Sequence, residues 1–449
     1  LHLRGLVAAR RGDTAGAIAL LRRVVALAPD SLPARNDLGA LLIAAGDPVA
    51  AEAELAVAVD LVPTSAEARV NLANALHAQG RLEAAEAGYR EALALDPRHV
   101  RGLVSLGNLL VQVRRPQEAH EHLVGAAVLA PGVAAVHQFL GHAQRDLGRV
   151  AEAVASYRRA IALEPGIPDA NESLGFVLKA EGRFDEAIAH FRASGKPQAR
   201  ALALECELRA GRIDACFEHL ARHAADEATN LHSASLSAYA AWHLGRQDPH
   251  PFCPDPLARV RITDRYTAPA DAAFLAALIR EAGQAEAVWE PRGVTTKQGF
   301  QTGGNLFRHG WPALARLAQD LLAELAGYRA SLPPGIGLAD HWPRTPRLHG
   351  WYVRLLTGGH QYFHNHPFGW MSGCLYLRMP EAAAPGEGAI EFGLESGDYP
   401  RLSARPSPTR LHVPRPGQLA LFPSSLYHRT IPFHSAEERH CIAFDLLPG

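Results

Sequence analysis

The chain has 449 residues, about three times the length of a typical single domain, so more than one folding unit is expected. Its 45 basic and 46 acidic residues nearly cancel, which argues against nucleic acid as a partner, because nucleic-acid binders gain affinity from clustered Lys and Arg. Five scattered cysteines argue against a disulfide framework, and no apolar run reaches the roughly 20 residues that span a bilayer. These features predict a cytoplasmic protein with no membrane partner.

The first 195 residues repeat with a 34-residue period. Prolines recur at this spacing, at Pro29, Pro63, Pro97, Pro131 and Pro165. A leucine followed by a small residue recurs in a second register, with the small residue at Gly39, Ala73, Gly107, Gly141 and Gly175. A third register has glycine at positions 46, 80, 148 and 182 and is broken only by Arg114. Three columns with one period indicate one structural unit used several times.

Each unit has the pattern of two packed helices. In residues 64–97, the segment 71–76 carries small residues where a partner helix must approach closely. Gly80 accepts the left-handed conformation that ends a helix, and an apolar stripe at helical spacing follows over 82–93. Pro97 closes the unit, because proline does not continue a helix. Such a hairpin buries its apolar faces only by stacking on its neighbours.

This pattern resembles the tetratricopeptide repeat (TPR), whose period is about 34 residues. The resemblance covers residues 1–195 and implies an all-α superhelix with a groove that binds a protein or peptide. Polar side chains on the first helices are candidates for substrate recruitment: Asn36, Asn71, Asn74 and Asn108. The alternative is a spacer or scaffold without a ligand, which a fold alone does not exclude.

Residues 196–255 are predicted to form capping helices and a proline-rich linker. The segments 201–209, 212–223 and 235–244 have helical patterns but lack the period. Residues 247–256 then contain four prolines, as is typical of a linker or a domain boundary.

Residues 256–449 change to a mixed pattern. Helices are predicted over 271–286 and 311–330. Short strands are predicted over 350–356, 373–379, 388–393, 418–422 and 440–446. Short strands between Gly- and Pro-rich turns indicate a sandwich or jelly roll. The sequence therefore predicts a multidomain protein in which an all-α region precedes a jelly roll with flanking helices.

Three histidines adjoin the ends of predicted strands. His364 and His366 precede one strand, and His428 follows the strand over 418–422. Residues two apart in an extended segment face the same side, so His364 and His366 can converge on one ion, and imidazole suits iron, zinc, copper or nickel. A histidine by itself is more often a surface or core group, and His412 and His434 are interpreted in that way.

Several motifs in a fixed order support a second resemblance. They are HNHP (364–367), SGCLYL (372–377), GAIEF (388–392), LFPS (421–424), His428 and Glu438-Arg439. With the upstream segment 296–302, they resemble the 2-oxoglutarate/Fe(II)-dependent oxygenases, and among these a branch with an HxHP…SGxxY signature. The resemblance covers about residues 257–449.

This resemblance implies a double-stranded β-helix that binds Fe(II) and 2-oxoglutarate and uses molecular oxygen to hydroxylate a substrate. His364 and His428 match the metal ligands of the family, and Arg439 matches the cation that pairs with the distal carboxylate of 2-oxoglutarate. A buried carboxylate needs a fixed cation, and guanidinium offers two parallel donors. No catalytic residue is expected beyond the metal site, and the TPR groove is expected to recruit a protein or peptide substrate.

The sequence departs from the oxygenase pattern at two positions. The usual motif is His-x-Asp or His-x-Glu, but the third residue here is His366, so the third ligand is open among His366, an acid such as Glu391, and water; His366 is favoured. Cys441 stands where many relatives have Ser, and a thiol is a poorer donor. Tyr352 and Tyr376 are therefore expected to assist in binding 2-oxoglutarate.

Two other functions remain open. The first is a cupin-type three-histidine metalloenzyme without 2-oxoglutarate, because Gly358 and the pair His364 and His366 fit the start of the cupin pattern. The acid that this pattern requires is missing from 368–371, and Arg439 would be unexplained. The second is a non-catalytic TPR scaffold, against which an intact set of polar groups argues, because such groups are costly to bury.

Overall fold

The computed structural model describes residues 1–291, 294–381, 384–397, 399–400 and 402–448. Contacts between residues divide the chain into two compact units, Leu1–Ala199 and Arg200–Gly449. None of the helices in these described ranges combines the length and the apolar character that crossing a membrane requires.

The first unit is all-helical, and short turns join its helices. In the described part of this unit the helices are α1 (His2–Arg10), α2 (Thr14–Leu27), α3 (Leu32–Ala44), α4 (Pro48–Leu61), α5 (Ala66–Ala78), α6 (Leu82–Leu95), α7 (Val100–Gln112), α8 (Pro116–Leu129), α9 (Ala134–Asp146), α10 (Val150–Leu163), α11 (Pro168–Ala180) and α12 (Phe184–Ser194). Successive helices alternate as the first and second members of the hairpins that the 34-residue period predicts. The predicted TPR superhelix is therefore confirmed at the level of helical repeats.

The turn between the two helices of a repeat adopts a left-handed conformation. Gly80 has φ +77°, which glycine accepts without steric cost. Arg114, which replaces glycine in the same column, has φ +62°. A residue with a Cβ pays on the order of 1 kcal/mol for that conformation, so the turn geometry is imposed by the packing of α7 and α8.

The column of small residues that follow a leucine (Gly39, Ala73, Gly107, Gly141 and Gly175) lies where the two helices of a repeat touch. A Cβ on Gly141 of α9 would lie 2.6 Å from Cε1 of Tyr157 in α10, and a Cβ on Gly107 of α7 would lie 2.6 Å from Cγ of Leu123 in α8. Tyr157 and Leu123 are fully buried. The column therefore provides room for one large side chain per repeat, which explains its recurrence from one repeat to the next within this chain.

The second unit combines helices with one antiparallel sheet. Its described helices are α13 (Pro197–Arg209, which begins just before the boundary), α14 (Ile213–His223), α15 (Leu231–Leu244), α16 (Ala272–Ala282), α17 (Pro312–Ala330) and α18 (Gly337–Asp340). Its described strands are β1 (Arg261–Asp264), β2 (Ala287–Trp289), β3 (Thr296–Thr302), β4 (Arg347–His364), β5 (Met371–Arg378), β6 (Ile390–Gly393), β7 (Thr409–His412), β8 (Gln418–Pro423), β9 (Tyr427–Thr430) and β10 (Arg439–Leu447).

The strand order follows a crossover pattern in a curled sheet. Neighbouring strands are β1-β8-β5-β10-β4-β9-β6-β7, and β3 also pairs with β4 and with β2. All these pairings are antiparallel. The long strand β4 pairs with β10 through its first half and with β9 near its end, so it links the two parts of the sheet.

The two faces of the sheet have separate cores. The helix side, which packs against α16 and α17, includes Leu375, Ile442 and Phe444. The inner side includes Cys374 and Cys441. Because side chains alternate along a strand, residues 439, 441, 443 and 445 of β10 all face the inner side.

The five predicted strands are present, but the boundaries of β4 differ. The prediction ended this strand at residue 356, whereas it continues to His364 through Gly358 and Gly359. Its pairing register shifts in this part, so the glycines accommodate an irregularity within the strand. Strands β1, β2, β7 and β9 were not predicted, because each has only three or four residues. Strand β3 is longer but was not predicted, because its sequence TKQGFQT is mostly polar.

The proline-rich segment packs within the second unit. Phe252 is fully buried, and its ring packs edge-on against Trp370 with centroids 5.0 Å apart. The backbone of Gly337 and Leu338 donates hydrogen bonds to the carbonyl oxygens of Pro251 and Phe252. Residues 247–256 thus contribute to the helix-side core of this unit.

Candidate metal centre

Three histidines meet on the inner side of the sheet. His364 and His428 are paired across β4 and β9, and His366 follows two residues after His364. One ring nitrogen from each histidine lies within 4.8 Å of those of the other two, and the ring centroids are 4.3–5.2 Å apart. Such a group could hold one ion after a small inward movement of the rings, since two nitrogens bound at about 2.0–2.1 Å lie no more than about 4.2 Å apart.

The backbone and one carboxylate orient the three rings. Nδ1 of His364 donates to the carbonyl oxygen of Tyr362 at 2.7 Å, and Nδ1 of His428 lies 3.4 Å from the carbonyl oxygen of Leu426. Nδ1 of His366 donates to Oδ1 of Asp445 at 2.6 Å. With the hydrogen on Nδ1, Nε2 retains its lone pair, which is the arrangement found in metal-ligating histidines.

Burial keeps two of the rings neutral. It lowers the pKa of His364 to about 4 and that of His428 well below its usual value, and the neighbouring imidazoles add to both shifts. A ring that resists protonation at neutral pH offers its lone pair to a cation without first losing a proton.

The acid Glu391 does not join the histidines. Its Oε2 accepts a hydrogen bond from Nε of Arg429 at 2.6 Å. Its neighbour Phe392 is paired with His428 and lies on the inner side, so Glu391 faces away from the centre. The acid that does approach the centre is Asp445, which sequence reasoning missed. Asp445 is six residues after Arg439 in one strand, and residues an even number apart in a strand face the same side. This spacing is the signal that could have identified Asp445.

Arg439 lies on the same side of β10 and has no acidic partner within the described ranges. It is 1% exposed, its Cζ lies 5.2 Å from the ring centroid of Tyr376, and Nη1 donates to Sγ of Cys441 at 3.5 Å. Neither Nε of Arg439 nor the hydroxyl of Tyr376 has a hydrogen-bond partner among the described residues. The nearby thiol of Cys374 and the Arg439 charge lower the pKa of Cys441. The result is a buried cation whose Nε has no acceptor among the described residues.

Tyr352 is not brought to this cation. Its hydroxyl is hydrogen-bonded to Nδ1 of His440. Tyr352 is paired with Ile442 and belongs to the helix-side core, whereas Arg439 faces the inner side. Of the two tyrosines predicted to assist in cosubstrate binding, only Tyr376 lies beside Arg439. The alternation of side chains along β4 directs Tyr352 to the opposite face of the sheet.

A cavity of about 610 Å³ opens at the histidines. Its described lining consists of the ring-bearing residues His349, Trp351, His364, His366 and Phe368, the polar residues Thr295, Gln301, Thr302, Gln361, Asn365 and Asp445, and Val294, Gly303, Gly304 and Leu447. Two large aromatic side chains, Trp351 and Phe368, belong to this lining. Trp370 lies in the helix-side core, and the ring of Phe363 lies 4.7 Å from Cζ of Arg429.

The candidate recruiting residues of the first unit are only partly brought together. Asn71 and Asn74 line a cavity of about 470 Å³ with His77, Arg101 and Gln112, but Asn36 and Asn108 do not. Oδ1 of Asn71 accepts from Nη2 of Arg101 at 2.5 Å, and Oδ1 of Asn74 accepts from the Tyr89 hydroxyl at 2.7 Å. Both asparagines thus also tie neighbouring helices together.

Protein-family models match residues in both halves of the chain. Tetratricopeptide-repeat models match residues 8–63, 42–105, 104–166 and 139–200. The model described as "Putative 2OG-Fe(II) oxygenase" matches residues 349–445, which include the three histidines, Arg439 and Asp445. The N-terminal region therefore carries tetratricopeptide repeats, and residues 349–445 match the family described as "Putative 2OG-Fe(II) oxygenase".

Several solved structures are similar to part of the chain. The crystal structure of MamA is 27% identical, covers 36% of this chain and 94% of its own, and has a TM-score of 0.31. TTC0263, a thermophilic TPR protein of Thermus thermophilus, is 26% identical, with coverages of 36% and 90% and a TM-score of 0.34. The pilF protein of Pseudomonas aeruginosa is 22% identical, with coverages of 47% and 90% and a TM-score of 0.39. No curated protein matches the chain.

Proposed function

We propose that the C-terminal domain is an Fe(II)- and 2-oxoglutarate-dependent dioxygenase that hydroxylates a protein or peptide, and that its curled sheet is a double-stranded β-helix. The observation that carries this proposal is the buried Arg439, which lacks a carboxylate partner in the described part of the chain and shares the inner side of β10 with Asp445, a contact of His366. A buried cation of this kind is costly. A bound dicarboxylate would provide the missing charge.

His364, His366 and His428 would hold the iron. Their chemistry fits, because imidazole is a common ligand of Fe(II) and each Nδ1 is already occupied by an acceptor. When bound together, Fe(II) and 2-oxoglutarate supply the oxidation of a substrate C–H bond by molecular oxygen, with decarboxylation of the cosubstrate to succinate.

The protein would bind and orient the cosubstrate through Arg439. Its guanidinium offers two parallel donors to the distal carboxylate, and the unpaired Tyr376 hydroxyl adjoins the same place. Ala443 lies between Cys441 and Asp445 on this face of β10 and is the smallest of the inner-facing residues of that strand. A linear dicarboxylate that reached from the cation to the histidines would pass this small side chain.

The cavity would accept an uncharged part of the substrate. Among its described lining residues no Lys or Arg is found, and its single carboxylate, Asp445, is bound to His366. Amide and hydroxyl groups with Trp351 and Phe368 suit a peptide segment. The TPR groove would recruit the same partner through the cavity at Asn71 and Asn74, since TPR domains are protein- and peptide-binding modules.

A cupin-type enzyme without 2-oxoglutarate is the second candidate, because the described cluster consists of three histidines and no carboxylate. Anaerobic titration of the full chain with Fe(II) and 2-oxoglutarate distinguishes the two. A saturable visible charge-transfer band that requires both components is expected for the oxygenase. Iron binding without such a band, and without any change on adding 2-oxoglutarate, would favour the cupin-type enzyme. Absence of iron binding would leave only the scaffold.

A further inference from the structure

Asp445 occupies an unusual place beside the three-histidine cluster. Its Oδ1 accepts hydrogen bonds from Nδ1 of His366 at 2.6 Å and from the Ser372 hydroxyl at 2.7 Å. Asp445 does not belong to the group whose ligand atoms lie within 4.8 Å of one another. It therefore contacts the cluster through one histidine ring.

A small hydrogen-bonded network fixes this carboxylate. The Ser372 hydroxyl also lies 2.7 Å from the Ser424 hydroxyl, and the backbone N–H of His366 donates to the Ser424 carbonyl oxygen at 3.0 Å. The side chains of His366 and Asp445 are 12% and 13% exposed. A charge-assisted hydrogen bond that is largely shielded from water is stronger and better defined than an exposed one.

The backbone is arranged to permit the contact. The turn after His366 passes close to β10, and a Cβ on Gly369 would lie 2.8 Å from Oγ of Ser424 and 2.9 Å from Cγ of Asp445. The N–H of Gly369 donates to the carbonyl oxygen of His366 at 3.0 Å. This turn thus places the His366 ring against Asp445, and a larger residue at position 369 would separate them.

We propose that Asp445 is a positioning residue for the metal centre, which fixes His366 as the third ligand and supplies through its ring the negative charge that a directly bound carboxylate supplies in a two-histidine, one-carboxylate centre. This inference rests on the proposed metal site. An ionised acceptor on Nδ1 makes the opposite nitrogen a better electron donor and locks the orientation of the ring. The net charge of ion, ligands and acid is then the same in both arrangements.

Co(II) titration of the full chain, followed by its visible d–d absorbance, tests the role of Asp445. Asp445→Asn removes the charge with little change in size and is expected to weaken Co(II) binding about 10- to 100-fold and to shift the d–d bands. The matched control is Glu387→Gln, because Glu387 accepts from Nδ1 of the exposed His434 at the similar distance of 2.7 Å. This control is expected to bind Co(II) as the wild type does.

A double substitution separates positioning from direct ligation. In a His366→Ala background, Asp445→Asn is expected to change the Co(II) affinity less than about twofold, because the two residues act as one unit. A full Asp445→Asn effect in that background would overturn the inference, since Asp445 would then act without His366.

The outcomes also separate this inference from the proposed function. Wild-type protein that binds Co(II), together with Asp445→Asn protein that binds it equally well, would refute the role of Asp445 and leave the metal site intact. Wild-type protein that binds no Co(II) would remove both. If Asp445→Asn does not fold, Ser372→Ala provides the second test. It keeps both His366 and Asp445 but loses the hydroxyl contacts to the Asp445 carboxylate, to Nδ1 of His366 at 3.2 Å and to the Ser424 hydroxyl. It is expected to weaken Co(II) binding several-fold.

Discussion

The guanidinium of Arg439 lies against the ring of Tyr376, with Cζ 5.2 Å from the ring centroid. Both side chains are almost completely buried, and each has a polar atom without a hydrogen-bond partner among the described residues, Nε in one and the hydroxyl in the other. Unsatisfied polar groups are rare in folded proteins and usually have a specific reason. Here two of them adjoin, and the proposed binding of 2-oxoglutarate would supply the missing partner.

Arg439→Met is expected to abolish 2-oxoglutarate binding and to spare metal binding. Two charge-assisted hydrogen bonds contribute about 1.5–3 kcal/mol each, so their loss corresponds to a decrease in affinity of at least about 100-fold. Calorimetric titration of the Co(II)-loaded protein with 2-oxoglutarate measures this. The control is Arg378→Gln, which removes an exposed arginine of β5. Equal 2-oxoglutarate affinity in wild type and Arg439→Met would exclude Arg439 from the cosubstrate site.

The same substitution is expected to stabilise the protein when no ligand is bound. A buried charge without an acidic partner is costly, and replacing buried charged groups with apolar residues of similar volume changes stability by about 0 to +4 kcal/mol. Urea unfolding of the metal-free protein gives the free energy of unfolding for wild type and Arg439→Met. A clear loss of stability in the variant would mean that Arg439 serves the fold itself.

His428→Ala is expected to weaken Co(II) binding strongly, because His428 supplies one of the three clustered imidazoles. His434→Ala is the matched control, since His434 is 73% exposed on its side chain and pairs with Glu387 away from the cluster. Absorbance titration compares the two variants with wild type. Unaltered Co(II) affinity in His428→Ala would show that the ion binds elsewhere.

The sequence was informative where the signal was local or periodic. The 34-residue period depends on turns and close contacts within one repeat, such as Gly80 and Gly141, and so each column is visible in the chain itself. The histidines 364 and 366 are likewise neighbours. These features predicted the helical repeats and the pairing of His364 with His366, whereas His428 was assigned from its place after the strand over 418–422 and from the family resemblance.

Features that depend on strand register were not predictable in this way. His366 and Asp445 are 79 residues apart, and their contact exists only because β10 pairs with β4 and β5 in one register. The same register decides which tyrosine meets Arg439. A shift of the β4 register by one residue would move Tyr352 to the other face of the sheet and its neighbours to the face it left. Nothing in the local sequence determines which of the two faces Tyr352 occupies.

Gly141→Ala is expected to destabilise the repeats by about 1–3 kcal/mol, because the added Cβ would lie 2.6 Å from the buried Tyr157 ring. Gly125→Ala in α8 is the matched control. A Cβ at that position meets no atom within 4 Å, so alanine is expected to stabilise the helix by about 0.5–1 kcal/mol. Urea unfolding followed by far-UV circular dichroism measures both. Two changes of the same sign would contradict the close packing of α9 and α10.

His142 is expected to make stability depend on pH. Burial lowers its pKa to about 4 in the folded protein, with Arg145 adding to the shift, while the unfolded chain has a value near 6.5. Above pH 6.5 the ring is neutral in both states and costs nothing. As the pH falls from 6.5 to about 4, the unfolded chain takes up a proton that the folded protein resists, so the free energy of unfolding falls by up to about 3 kcal/mol.

Urea unfolding at several pH values tests this in the difference between wild type and His142→Gln. The variant is expected to lose less stability than wild type between pH 6.5 and 4.5, because its side chain does not titrate. His137→Gln on the same helix, whose ring contacts the Pro131 carbonyl oxygen at 2.9 Å, controls for loss of a histidine as such. Parallel pH profiles for wild type and His142→Gln would mean that the imidazole becomes protonated in the folded repeat without cost. The packing of His142 between Phe139 and Tyr157, with ring centroids 5.7 and 5.6 Å away, argues against that outcome.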